Sequence, residues 1–174
     1  MAPSRDIAEL VAIHHELDRV FAAFRELVLM GDERRAAAML QAYRNLTARH
    51  ADDEDRLLVP HLRDGARWPA ELYTGQHEKL FAGIDRLATF VAAIRGGTAG
   101  WRGRALEALD AASRVHHLVE HHHLAEEQDL FPNAATDEAI VAMASAWHSA
   151  RSTYDNLLAE AARVLADVRP APQG

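Results

Sequence analysis

Residues 46–60 read LTARHADDEDRLLVP, and residues 118–132 read LVEHHHLAEEQDLFP. Laid over one another they pair Leu46 with Leu118, His50 with His122, Glu54 with Glu126, Leu58 with Leu130 and Pro60 with Pro132. The offset is 72 residues throughout (118 − 46, 132 − 60). A further histidine precedes each copy in matched surroundings, His14-His15-Glu16-Leu17 and His77-Glu78-Lys79-Leu80. Each half of the chain is therefore a helix with one inward histidine, then a helix carrying His-x-x-x-Glu, then proline. Two such hairpins pack with approximate two-fold symmetry and bring their His-x-x-x-Glu sets face to face in the middle of a bundle.

Glycine and proline mark the segment ends. The first helix is predicted from about Arg5 to Met30, ending at Gly31, with Leu10, Leu17, Phe21, Phe24 and Val28 on its buried stripe. The second is predicted from about Asp32 to Val59. The third opens near Pro69, a residue suited to the first helical position, and ends at Gly96-Gly97. The fourth spans about Arg102 to Phe131 and stops before Pro132. A fifth opens at Thr136 as N-cap and runs to about Val168. The expected fold is all-α: an up-down-up-down four-helix bundle (core about 5–132) with an additional C-terminal helix (about 136–168) on its outside or over one end. Residues 1–168 read as one domain, and 169–174 as a disordered tail.

Composition narrows the function. The chain has 174 residues, a net charge of −7 and no cysteine. That net charge argues against a general nucleic-acid binder, which would show a basic face. The absence of cysteine removes disulfides, thiolate metal sites and thiol nucleophiles. No apolar run approaches the roughly 18 residues of a membrane span, and the start of the chain lacks a signal pattern, so a cytoplasmic protein is expected. Histidine is abundant: 11 residues, five of them between His116 and His123.

Residues four apart share a helix face, so His50 points with Glu54 and His122 with Glu126. Leu46 and Leu118, one turn earlier, mark that face as the core-facing one. Buried imidazoles and carboxylates without partners cost several kcal/mol each, and a cation bound by nitrogen and oxygen removes the penalty. Two carboxylates can bridge two ions while histidines cap them. These donors suit iron, manganese or zinc. His14 is in phase with Leu10, Leu17 and Phe21. His15, about 100° away, is its substitute. His77 is in phase with Leu80, Ile84 and Leu87, and Tyr73 lies one turn before it, where a phenol could ligate a ferric ion or donate a hydrogen bond. His116, His117, His121 and His123 are expected to be solvated or to back the ligands, with His123/Glu127 as an alternative register to His122/Glu126. His61 suits a helix C-terminus, His148 reads as packing, and the run Asp52-Asp53-Glu54-Asp55 reads as solvated apart from Glu54.

The ordered set His, His-x-x-x-Glu, His, His-x-x-x-Glu-Glu-x-x-Leu-Phe-Pro resembles the hemerythrin-like, or HHE cation-binding, family over about Ile7 to Pro132. The ferritin-like Glu-x-x-His signature has the opposite order and a spacing of three. The resemblance implies two non-haem Fe ions, bridged by carboxylates with room for an oxo or hydroxo bridge. His14, His50, His77 and His122 would be ligands, and Glu54 and Glu126 the bridges. Oxygen-carrying members have His-x-x-x-His on the third helix, where this chain has Tyr73. They have an aspartate five residues after the fourth-helix histidine, where this chain has Glu127, expected as an additional ligand or as a support behind the ligands. A set poorer in nitrogen implies open positions for small oxygen or nitrogen species: O2, peroxide or nitric oxide. The expected function is binding of, or reaction with, such species, peroxide decomposition among them. An iron-binding sensor or storage module without catalysis is the alternative, with the fifth helix available to a protein partner.

Overall fold

A computed structural model describes residues 7–168; the expected disordered tail at 169–174 lies outside them. The described chain is helical and contains no strand. Four long helices form the core: α1 (Ile7–Leu29), α2 (Glu33–Leu57), α3 (Ala70–Ala92) and α4 (Trp101–Ala125). α1 packs on α2, α2 on α3, α3 on α4 and α4 on α1, which closes the ring of an up-down-up-down bundle.

Local chemistry sets the helix ends. α1 stops in a Schellman turn: Gly31 N–H donates to the Val28 carbonyl and Asp32 N–H to the Leu27 carbonyl. Gly31 sits at φ 71°, and a Cβ there would stand 2.8 Å from the Trp101 ring, so the position requires glycine. The Asp32 side chain then caps α2 by accepting from Arg35 N–H. A 3₁₀ turn, Val59–His61, follows α2 and leaves His61 exposed. Pro69 is the N-cap of α3, one residue before the helical position expected for it.

Two boundaries differ from the sequence expectation. α4 does not end before Pro132. It passes into a π-helical turn, Glu126–Leu130, whose Glu126 carbonyl accepts from Phe131 N–H, and then into α5 (Phe131–Ala134), where Pro132 occupies a first-turn position that needs no N–H. The fifth helix is two: α6 (Asp137–Ser152), capped by the Thr136 hydroxyl as expected, and α7 (Asp155–Val168), separated by a turn at Thr153–Tyr154. The break lets α6 lie on α2 and α1 while α7 follows α1. Tyr154 accepts a hydrogen bond from Asn45 at that corner, and Arg151 and Trp147 donate to Glu16.

The apolar core is built from the heptad-spaced faces of the four helices, with Leu17, Phe24, Leu27, Met39, Tyr43, Ile84 and Leu87 almost fully buried. Each such side chain contributes about 1.5–3 kcal/mol relative to exposure. Because the helices alternate in direction, the start of α1, the end of α2, the start of α3 and the end of α4 meet at one end of the bundle. Every histidine and glutamate of the repeat falls in that layer.

Candidate metal centre

Six side chains of that layer are buried: His14, His50, Glu54, His77, His122 and Glu126 are each at most 5% exposed. Their donor atoms form two groups of four, His14–His50–Glu54–Glu126 and Glu54–His77–His122–Glu126, each within 4.8 Å. Both carboxylates belong to both groups, one oxygen to each. Glu54 Oε1 is 3.2 Å from His50 Nε2, and its Oε2 is 3.4 Å from His77 Nε2. Glu126 Oε2 is 3.4 Å from His14 Nε2, and its Oε1 is 2.9 Å from His122 Nε2 and 3.6 Å from His77 Nε2.

The donors fit metal ions on two counts. First-row ions bind imidazole nitrogen and carboxylate oxygen at about 2.0–2.2 Å, so donors of one ion stand within about 4.4 Å of each other, close to the spacing here. Moreover, all four carboxylate oxygens and His77 Nε2 are buried without a hydrogen-bond partner. Unsatisfied buried oxygens cost free energy unless something takes up their lone pairs, and a cation held between them removes that cost.

The far side of the rings supports the same geometry. His14 Nδ1 is 2.8 Å from Glu127 Oε1, His77 Nδ1 is 3.1 Å from Asp55 Oδ1, and His122 Nδ1 is 3.0 Å from Gln76 Oε1. These acceptors hold the proton on Nδ1 and turn the Nε2 lone pair inward, the arrangement seen around metal-bound histidine. Glu127 and Asp55 thus orient imidazoles from behind.

Without a cation the cluster holds protons instead. Burial opposes a charge on His14, but the facing carboxylates of Glu126 and Glu127 outweigh it and raise its pKa to about 10. His77 is likewise lifted to about 10 by Glu126 and Glu54 against the same burial. Burial and the neighbouring Glu126 charge push Glu54 up to about 8. Glu126 is also buried, yet the imidazoles facing it, His122 first, hold it well below the usual carboxylate range. Burial keeps His50 neutral far below its ordinary value and takes His123 down to about 2.

Several residues sit elsewhere than the sequence suggested. His15 is exposed and joins neither group. Leu118 is 43% exposed whereas Leu46 is fully buried. On α4 the core stripe runs Val115, Val119, His122, Glu126, so the residue three before His122 faces inward rather than the one four before it. His123, expected among the flanking histidines, is buried and stacked on His14 with ring centroids 3.8 Å apart. His148 is exposed. Asp53 is buried, not solvated, because Arg49 and Arg56 each donate to its carboxylate.

Tyr73 is fully buried, but its hydroxyl donates to Asp129 Oδ2 at 2.8 Å and it belongs to neither group of donors. Asp129 was not singled out by sequence. It also accepts from the backbone N–H groups of Arg67 and Trp68 and from Asn133, and these bonds keep its pKa low against partial desolvation. The π-helical turn delivers Asp129 to that position and ties the end of α4 to the start of α3. Tyr73→Phe is therefore expected to leave metal content unchanged and to cost about 1 kcal/mol of stability, read from chemical denaturation alongside elemental analysis. A loss of metal would show that the phenol belongs to the donor set.

No helix among the described residues is long and apolar enough to cross a membrane. No curated protein and no solved structure matches the chain. Residues 69–173 match a family model described as hemerythrin HHE cation binding domain. That span is more than half of the chain and runs from the start of α3 through α7, taking in His77, His122 and Glu126, so the chain belongs to the hemerythrin HHE cation-binding family.

Proposed function

We propose that the protein holds two iron ions, one in each group of four donors, with Glu54 and Glu126 bridging them, and that this centre binds or reacts with O2, peroxide or nitric oxide. The observation that carries the reading is the sharing of both carboxylates between two otherwise separate pairs of histidines. Iron in such a site supplies redox chemistry and open coordination positions for small ligands. Manganese and zinc satisfy the same donors.

The chain's own residues support a small ligand. Every donor is nearly sealed from solvent, which suits a molecule of two to four atoms. His123 and Phe131 wall His14, with ring centroids 3.8 and 5.3 Å away, and the Trp147 ring lies 6.3 Å from His50. An apolar wall on one side and imidazoles on the other strengthen charge interactions inside and keep bulk water away.

A second reading, an iron sensor or store without catalysis, is favoured by one feature. The six donors come from the four core helices and the π-helical turn that continues α4, so occupancy and bundle stability are linked. Mixing the ferrous-loaded protein with nitric oxide, O2 and peroxide separates the two readings. A ligand-dependent change in the visible spectrum, with peroxide consumed, is expected for the reactive centre. Loaded protein that leaves all three unchanged supports the sensor or store.

A further inference from the structure

The internal repeat creates the same groove twice, and the described residues cover only one copy. On the first half, α6 and α7 lie against α1 and α2. On the second half, no element among the described residues lies over the groove between α3 and α4, about 400 Å³ in volume, with Phe90, Val115 and Leu118 among its apolar lining and Lys79, Arg86 and Arg114 around them.

Aligning the two halves of the sequence through His14/His77 and His50/His122 makes the difference specific. Leu118 corresponds to Leu46, 43% exposed against 0%. Arg86 and Arg114 correspond to the buried Ala23 and Ala42. Lys79 corresponds to Glu16, the residue that receives Arg151 and the Trp147 N–H from the covering helix. The charge at the anchoring position is reversed. The groove lining has three cations and no anion. The arginine ion pairs among the described residues involve Arg35, Arg44, Arg49, Arg56, Arg151 and Arg163, not these groups.

We propose that the α3–α4 groove docks an amphipathic helix of a partner protein, its apolar stripe on Phe90, Val115 and Leu118 and acidic side chains along its flanks on Lys79, Arg86 and Arg114. The covered groove shows how the fold accepts such a helix: an apolar seam plus an ion pair at the Glu16 position. Reversal of that charge selects a helix of opposite flank charge. The outer face of α6 offers less, with Val141 its one large exposed apolar side chain among the described residues. A second copy of this chain is disfavoured by the net charge of −7 that each copy brings.

The test uses the full chain and two synthetic helical peptides with one leucine seam, flanked by glutamate in one and lysine in the other. Binding is read by fluorescence anisotropy. The acidic peptide is expected to bind about tenfold or more tightly than the basic one and to weaken with salt. Lys79→Glu, Arg86→Glu and Arg114→Glu combined should reverse that preference, with helicity and metal content unchanged. Leu118→Asp should weaken the acidic peptide by about tenfold. Equal affinity for both peptides, indifference to the charge reversal, or no binding of the acidic peptide up to about 1 mM would overturn the proposal. So would sedimentation showing that the chain dimerises and that Arg114→Glu dissolves the dimer, since the occupant would then be a second copy.

Discussion

Replacing Glu54 and Glu126 together by glutamine is expected to yield a folded protein that carries no metal. Each carboxylate contributes one oxygen to each group of donors. The double replacement therefore removes two of the four donors from both groups and leaves two histidines in each, too few to hold a first-row ion against solvent. The single replacements separate bridging from ordinary ligation. Glu54→Gln weakens both ions together, whereas His50→Ala or His122→Ala weakens only the ion of its own group and lowers the metal content by one. The metal-free protein should lose stability as well. Without metal the two carboxylates hold protons on His14 and His77, so neutral amides remove that stabilisation, and the metal-free melting temperature near pH 6.5 should fall. Elemental analysis and paired melts with and without metal measure both effects. A double variant that keeps two metals would remove Glu54 and Glu126 from the centre.

Stripping the metal is expected to lower the melting temperature by about 8–16 °C and to change the shape of stability against pH. A ligand at about a thousandfold excess over its dissociation constant stabilises by about 4 kcal/mol, and each kcal/mol is worth about 2–4 °C in a chain of this size. The pH dependence follows from the directions of the shifts. His14 and His77 are raised from 6.5 to about 10, so the stability they contribute is complete below pH 6.5 and is lost as pH rises through 10. Glu54, raised to about 8, acts in the same direction, its contribution disappearing as pH rises through 8. His50 and His123 are depressed, so folding binds fewer protons at these rings, and their contribution is lost as pH falls below 6.5. The metal-free protein should thus be most stable near pH 6.5 and weaken on both sides. Bound metal displaces the protons on His14, His77 and Glu54, so the loaded protein should gain stability from pH 6.5 towards 8. Parallel pH profiles of thermal melts, with and without metal, read this directly. Identical profiles would mean that the cluster does not exchange protons for metal.

The bundle and its polar layer were legible because the repeat places like residues at one helical phase. Leu10, His14, Leu17 and Phe21 lie on one face of α1, and all four are buried. Phase also accounts for the choice of His14 over the exposed His15. What escaped depends on neighbours that a single helix does not announce. Leu46 and Leu118 occupy equivalent places, yet among the described residues a further helix covers α2 and none covers α4, so only Leu46 is buried. His123 is drawn inward by stacking on His14, a contact between helices distant in sequence. The π-helical turn at Glu126–Leu130 has no glycine or proline signal inside it, since it is a change of hydrogen-bond register. It brings Asp129 to Tyr73 and to the two backbone N–H groups. The break between α6 and α7 likewise lacks a proline or glycine and follows from docking at the Asn45–Tyr154 corner. Asp53 was misjudged because an acidic run suggests solvent, while Arg49 and Arg56, a turn before and a turn after, supply its partners. Glu127, expected as a further ligand or a support for one, backs His14, whereas Asp55, also next to a repeat glutamate in the chain, could have been read as a partner for histidine Nδ1 once the ligand face was assigned.

The central claim is that two metal ions share Glu54 and Glu126. Elemental analysis of the purified protein after growth in iron, expressed as metal per chain, tests it most directly. Two irons per chain are expected, one for each group of four donors. Protein that purifies with no metal, and takes up none from ferrous iron under anaerobic conditions, would contradict it.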